Sequence, residues 1–577
     1  MRKLLSALFV IIGILSLIGC SGRGNADLQF EKLAGDYITG YLEMYPERAT
    51  SLGDHRYDAK LNDRSLAGIQ QAIDFNRKFA GLMQSIDPQK LSMVNRIDYG
   101  ILQQRIDRSL FNLEELREFT WNPRVYNIGG AIYNLLVRDF APLEERLFSV
   151  KQRLLAVPEV IAAAQANLDN PPQIFTETAI TQNRGTMSLI ENDLDEFVQQ
   201  VPGIKPEIDA AREVALHSLN EYQTWLEEEL LPNSNGDFRL GEERFRKKLH
   251  FTLESDISME EVLSRAQEKM IKTQAELYQT ALEIHRRNNP AAKASDDKVE
   301  QKKLIQQVLD RLADSHPNNE TIVAFIEQTL QETRQFTIEN DLVTVPDDPI
   351  NIIVMPEFQR GVAMAYCDSP GPLEQERQTF YAVSPAPADW TAERVISTFR
   401  EDNNYMLHEL TIHEAMPGHY LQLAHANRFQ APTMVRAIFS SGPFIEGWAT
   451  YAEQVMMDHG YGGPEVKMQQ LKMHLRVCVN AIIDQKIHTA GMTEEEAMKM
   501  MIEEGFQEEG EAAGKWRRAC LTTTQLSTYF VGNLEMNAIR NDYETKLGDG
   551  FNLKQFHDQV LSYGSPPLKY VREMMGI

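Results

Sequence analysis

Two histidines and a glutamate fall within seven residues, with a Pro-Gly pair between the histidines. No other feature constrains this chain as strongly. The stretch is Thr411-Ile-His-Glu-Ala-Met-Pro-Gly-His-Tyr-Leu-Gln422. His413, Glu414 and His419 supply the parts of a zinc site with its own general base. In the short form of such a site, H-E-x-x-H, the histidines sit at i and i+4 on one helix face. Here the second histidine is at i+6. Six residues of unbroken helix turn through about 600°, which leaves the two rings about 120° apart. Pro417 has no N–H, and its ring clashes with the carbonyl of His413. Gly418 tolerates unusual dihedrals. A widened turn at Pro417-Gly418 is therefore expected to return His419 to the face of His413. The alternative register uses His408 and His413, five apart with Glu409 between them. The plainest alternative is a helix that ends at a Pro-Gly break and carries three solvated polar residues.

A catalytic zinc site needs a third protein ligand. Glu446-Gly-Trp-Ala-Thr-Tyr-Ala-Glu453 reads as a second helix, and Glu446 and Glu453 share one of its faces. Glu446 is expected to bind the metal, because Gly447 and Ala449 allow close helix approach. Glu453 is expected to hydrogen-bond a histidine ligand from behind. An acidic helix surface is the alternative. Further on, Asp484 and His488 stand at i and i+4. The carboxylate would orient the imidazole, which would face the metal and stabilise an oxyanion. A surface pair is the competing reading.

These two stretches together resemble the bacterial "domain of unknown function 885" family. More distantly they are similar to helical zinc peptidases such as carboxypeptidase Taq and thimet oligopeptidase. The likeness extends to Tyr45-Pro-Glu-Arg-Ala-Thr-Ser-Leu-Gly-Asp-His55 near the start. It also reaches Phe556-His-Asp-Gln-Val-Leu-Ser-Tyr-Gly564, with Pro566 and Pro567, near the end. The resemblance implies a fold and a metal site more than a substrate. It also implies that Arg518, Gln525 and Tyr529 match the family's Arg-to-Tyr segment ending in Gly532. Arg518 would then recognise a carboxylate and Tyr529 would hydrogen-bond the transition state. Two positions depart from the family pattern: Asn480 stands where a second Arg is usual, and Lys486 where a Gly is.

At the N-terminus, Arg2 and Lys3 precede an apolar run from Leu4 to Ile18, shorter than the roughly 20 residues of a membrane span. It ends in Leu17-Ile-Gly-Cys20, which resembles a lipoprotein box. A signal peptide over 1–19 and a lipid on Cys20 are expected. With Ser21 following, the pattern resembles that of outer-membrane sorting, which would put the protein on the periplasmic face. No later stretch is long and apolar enough to span a bilayer.

The formal net charge of −25 argues against nucleic acid and anionic membrane surfaces as partners. The hydrophobic fraction of 43% supports a sizeable core. Cys367, Cys478 and Cys520 show no metal-ligand spacing and read as buried small residues.

Residues 20 to 340 read as helical. In one example, Ser258 and Glu261 form a capping box before a helical stripe that runs to Ile284. Tyr126 to Tyr133 reads as a loop. Residues 341 to 577 hold the chemistry. Ile350–Met355, Gly361–Tyr366 and Gln378–Ser384 read as a small sheet. In helical zinc peptidases an edge strand beside the metal helix holds the substrate in extended form. The resemblance implies the same use here, with Tyr366 in contact with substrate, although Tyr366 and Tyr381 equally suit sheet packing. Thr493 and Glu496 form another capping box.

The expectation is a mainly α protein of two lobes around a deep central groove, zinc-peptidase-like, with a small sheet beside the metal helix. One zinc ion held by His413, His419 and Glu446 would serve hydrolysis of peptides. Glu414 would be the base, and His488 or Tyr529 would stabilise the oxyanion. An amidase or esterase acting on cell-wall fragments or small molecules would use the same residues. A ligand-binding lipoprotein without catalysis would not need Glu414.

Overall fold

The structure is a computed structural model and describes residues 24–355, 364–374, 378–387 and 390–577. The signal segment, Cys20 and the start of the second expected strand lie outside those residues. The fold is mainly helical, with one three-stranded sheet. Among the described residues no helix is long and apolar enough to cross a membrane. The labels below number only the helices that build the site and its surroundings.

Helix α1, Asn25–Met44, buries Phe30, Leu33, Ala34, Tyr37, Ile38 and Tyr41, a stripe with three- and four-residue spacing. Pro46 opens α2, Pro46–Leu52, where its missing N–H costs nothing. Gly53, at φ 88°, closes it in the left-handed region. Helix α3 is Met93–Leu110 and α4 is Gly241–Leu253. The expected helix after Ser258 is α5, Met259–Asn288, and the Ser258 side chain accepts from the Glu261 N–H. Tyr126 to Tyr133 differs from the expected loop: a short 3-10 turn ends at Tyr126, and Gly129–Val137 is helical.

The sheet comprises β1 (Ile350–Val354), β2 (Ala365–Asp368) and β3 (Thr379–Val383), in the order β1-β3-β2. β1 runs parallel to β3 and β2 antiparallel to it, so β2 is an edge strand. It lies against α6, Asn404–Glu414, which the Asn403 side chain caps by accepting from the N–H groups of Tyr405 and Met406. Helix α7 is His419–Ala426, α8 is Gly442–Asp458, α9 is Gly463–Ala490 and α10 is Ser527–Leu547.

Helix α9 is the axis of the fold. It buries residues on every face, from Val466 to His488, and pairs along its length with α5. A helix buried all round must satisfy its polar side chains internally, and this one carries Gln470, Lys472, His474 and Asp484. Helices α8 and α10 meet at Gly447 and Gly532. A methyl group on Gly532 would come 2.2 Å from the Pro443 carbonyl oxygen, so the two backbones are in contact. Apolar clusters draw on both sides of residue 340: Phe30 and Tyr37 pack with Val435 and Phe439, and Leu277 and Ile305 pack with Met468 and Leu475.

Candidate metal centre

Helix α6 does not continue through the Pro-Gly pair as one helix with a widened turn. It ends at Glu414, and a separate helix, α7, begins at His419. The reason lies in residues 415–418. The N–H groups of Ala415 and Met416 both return to the Thr411 carbonyl at 3.0 Å, and the Gly418 N–H reaches the Ile412 carbonyl at 2.9 Å. The chain folds back on the end of its own helix. Only glycine fits at 418, because a Cβ there would lie 1.9 Å from the His413 carbonyl oxygen. The indole N–H of Trp448, on α8, donates to the Pro417 carbonyl at 2.8 Å and fixes the reversal to the second helix.

This reversal brings the rings of His413 and His419 together, with centroids 4.6 Å apart and planes at 84°. Glu446 enters from α8. Its Oε2 lies 3.7 Å from His413 Nε2 and 3.5 Å from His419 Nε2. All three donor atoms lie within 4.8 Å of one another. A tetrahedral ion with ligands at about 2.1 Å holds its donors about 3.4 Å apart, so the spacing suits zinc. Glu446 Oε2 is buried and has no hydrogen-bond partner, as expected of an atom aimed at a cation. His408 takes no part. Its Nδ1 meets the Tyr461 hydroxyl at 2.7 Å, so the alternative register is excluded.

Behind the cluster, His413 Nδ1 donates to Glu453 Oε1 at 2.6 Å, as the sequence predicts. This fixes the tautomer that leaves Nε2 free for metal. Two more residues extend the support. Glu409, one turn before His413, hydrogen-bonds Glu453, and His474 Nε2 lies 3.8 Å from Glu453 Oε2. Burial and the Glu453 charge push the Glu409 carboxyl well above its ordinary range, so it is protonated and donates to Glu453. Burial lowers the His474 pKa. Burial opposes charge on His413 and Glu446 as well, but their mutual contact outweighs it. His413 is held well above the usual imidazole range, and Glu446 well below the carboxylate range.

The neighbours of the cluster divide clearly. Glu414 Oε2 accepts from the Cys367 N–H at 3.1 Å, so the carboxylate next to the first histidine faces edge strand β2. Tyr529 is on α10, one turn before Gly532. Its hydroxyl accepts from Arg518 Nη2 at 3.0 Å and Gln525 Nε2 at 3.3 Å. Burial and the charge of Glu446 raise its pKa, which places it within electrostatic reach of the cluster. Tyr366, on β2, accepts a hydrogen bond from Tyr133. Tyr381 packs inside the sheet, with its hydroxyl 3.3 Å from Thr411 Oγ1.

His488 and Asp484 require a correction. The His488 Nε2–H donates to the Ala519 carbonyl at 2.9 Å, and its ring packs against Phe238 and Phe245. Burial lowers its pKa to about 4. Asp484 accepts from the N–H groups of Thr524 and Ser527 and from the Ser527 hydroxyl, and burial pushes it up to about 6. The two side chains share a helix face, but that face looks into the core. Cys478 and Cys520 are buried thiols as expected, while Cys367 is half-buried on β2.

The sequence reading missed Glu409 and His474. The four-residue spacing from Glu409 to His413 was a usable signal for the first. His474 has none, because α9 reaches the cluster only through the tertiary fold.

The chain belongs to the family of bacterial proteins of unknown function designated DUF885, which matches residues 46–575. A solved structure of a candidate lipoprotein of unknown function from Shewanella oneidensis is 31% identical. It covers 95% of this chain and 100% of its own, with a TM-score of 0.81. A candidate lipoprotein from Colwellia psychrerythraea, 16% identical, shares the fold over 96% of this chain and 98% of its own, with a TM-score of 0.78. No functionally curated protein matches the sequence.

Proposed function

We propose that this protein is a zinc-dependent hydrolase that cleaves peptides. The observation that carries the reading is the convergence of His413 Nε2, His419 Nε2 and Glu446 Oε2 at tetrahedral spacing, with Glu414 on the adjoining residue. A pure binding site has no need of a carboxylate at that position.

Zinc bound by these three residues would supply Lewis acidity and lower the pKa of a coordinated water to about 7. The remaining steps belong to the chain. Glu414 takes a proton from the attacking water and passes it to the leaving amine. Tyr529, set in place by Arg518 and Gln525, donates to the oxyanion as charge develops there. Glu453, backed by protonated Glu409, keeps His413 in its metal-binding tautomer. The free edge of β2 offers backbone groups to an extended substrate, with Tyr366 alongside. Two lobes around a central groove, as in the helical zinc peptidases the sequence resembles, would admit unfolded peptides. The lipoprotein box, and the description of the Shewanella relative as a candidate lipoprotein, support attachment to the cell envelope through Cys20. The periplasmic face of the outer membrane is the expected address.

Metal analysis of the purified protein, combined with hydrolysis of a mixed peptide library, tests the reading. One zinc per chain and cleavage abolished in Glu414→Gln support it. Zinc with turnover only of esters or cell-wall amides would reassign the substrate. A protein without metal, or turnover undiminished in Glu414→Gln, would refute the mechanism.

A further inference from the structure

A second polar cavity adjoins the metal centre. Its volume is about 280 Å³, and its walls include Gln104, Arg105, Arg108, Glu254 and Ser440. Arg105 and Arg108 project from α3 three residues apart, so they share a face. Arg105 has no acidic neighbour. Its Nη2 donates to the Tyr41 hydroxyl at 3.1 Å, its guanidinium lies over the Tyr41 and Phe439 rings, and the groups that hold its charge are tyrosines. Arg108 is influenced by Glu254 and Glu118. Among the described residues it pairs with neither, because Glu118 binds Lys248 and Glu254 hydrogen-bonds Ser441. Arg105 Nε and Gln104 Nε2 are buried and have no acceptor. In a chain with a net charge of −25, two guanidinium groups facing a cavity without a carboxylate partner run against the overall sign.

The cavity's position ties it to the cluster. Ser441 is the N-cap of α8, and Glu446 follows five residues later, about 7.5 Å along the axis. That is about two residues of extended chain. Arg48 and Ser440 also wall the neighbouring cavity that contains Cys367, the residue that donates to Glu414. Arg48 belongs to the opening motif of the family.

We propose that this cavity is a subsite that binds a carboxylate of the substrate, about two residues from the bond being cut. Guanidinium groups bind carboxylates through paired hydrogen bonds. Glu254 selects against a phosphate dianion by repulsion. Burial raises its pKa to about 7, so in its neutral form it donates to a carboxylate. The hydrolase reading supplies only the identity of the carboxylate's carrier. The affinity of the cavity for an anion stands apart from it.

The test is calorimetric, on the full chain carrying Glu414→Gln so that no probe is consumed. The probes are acetyl-trialanine as the free acid, the same peptide as its C-terminal amide, and inorganic phosphate. The acid should bind at least about tenfold more tightly than the amide, and phosphate more weakly than the acid. Adding Arg105→Gln or Arg108→Gln should shrink the acid's advantage to under about twofold. Should those variants fail to fold, Glu254→Gln serves instead, and it should tighten phosphate binding at least about threefold. Equal binding of acid and amide would overturn the proposal, as would no binding of any probe. An advantage that survives both arginine substitutions would place the carboxylate on the metal, and phosphate binding more tightly than the acid would make this a phosphate site. Each result is independent of turnover, so failure here leaves the hydrolase reading intact, and failure of that reading leaves this one intact.

Discussion

Gly418→Ala is the sharpest test of how the metal centre is built. The added methyl would sit 1.9 Å from the His413 carbonyl oxygen and 2.3 Å from that of Ile412, while ordinary contact begins near 3.4 Å. The obstructing atoms are main chain, so no rotamer change relieves the clash. Going from 1.9 to 3.4 Å requires the 415–418 reversal to open by about 1.5 Å, and His419 is the next residue. Zinc sites tolerate ligand displacements of only about 0.2 Å. The substitution should therefore remove His419 from the coordination sphere and weaken zinc at least about 100-fold, the upper range for disturbing a ligand's support. Overpacking of this kind should destabilise the metal-free protein by about 1–3 kcal/mol. Competition with a chromophoric chelator measures the first effect and circular dichroism melting the second. Gly514→Ala is the control, because nothing lies within 4 Å of a methyl at that exposed helical position. It should bind zinc like the wild type and melt at the same temperature or slightly higher. If Gly418→Ala also binds zinc normally, the chain reversal does not position His419.

Glu453→Gln should keep the fold and lower zinc affinity about 10–100-fold, read by the same chelator competition. Unchanged affinity would show that His413 needs no support. Tyr529→Phe should lower kcat by about 10²–10³ with little change in KM, because the oxyanion exists only in the transition state; an equal loss in both would point to substrate binding. His488→Ala should retain zinc and kcat but lose about 2–3 kcal/mol of stability, since its ring fills space between Phe238 and Phe245. A drop in kcat with zinc intact would restore its catalytic role. His488 and His557 both have pKa values lowered to about 4 by burial. Their unfolded value is about 6.5, so between pH 6.5 and 4 the unfolded chain takes up protons first. Each histidine thus contributes stability that is present above pH 6.5 and lost as pH falls through 4, at most about 3 kcal/mol. His557→Gln should flatten the melting-temperature profile over that window, and an unchanged profile would mean the ring is already protonated.

Which parts of this molecule were legible in the sequence depends on the range of the interaction that fixes them. The sheet was readable because β-branched runs between prolines and glycines are a local signal. The Thr493–Glu496 capping box forms as its four residues dictate. Glu446 and Glu453 were readable because a seven-residue spacing on a helix fixes a shared face, and the same logic applies to Glu409 and His413. Spacing says which face residues share. It does not say what that face meets, and the Asp484–His488 pair failed on this point. The backbone N–H groups of Thr524 and Ser527, some 40 residues away, bind Asp484 first.

The same limit governs the two polar sites. The metal centre could be inferred because two of its ligands are six residues apart and the Pro-Gly pair between them rules out a straight helix. What the residues did not disclose is that the break is complete: the Gly418 N–H bonds back to Ile412 rather than continuing a bulged helix. The arginine cavity has no such local signature. Arg105 and Arg108 sit on an ordinary amphipathic helix, Glu254 at the end of α4 and Ser440 just before α8. Only the packing of Val435, Ile438 and Phe439 against α1 and α3 brings these segments together. A charge without a partner is a property of the assembled fold. In this chain its clearest mark is a pair of buried donors on Gln104 and Arg105 that no neighbouring acceptor meets.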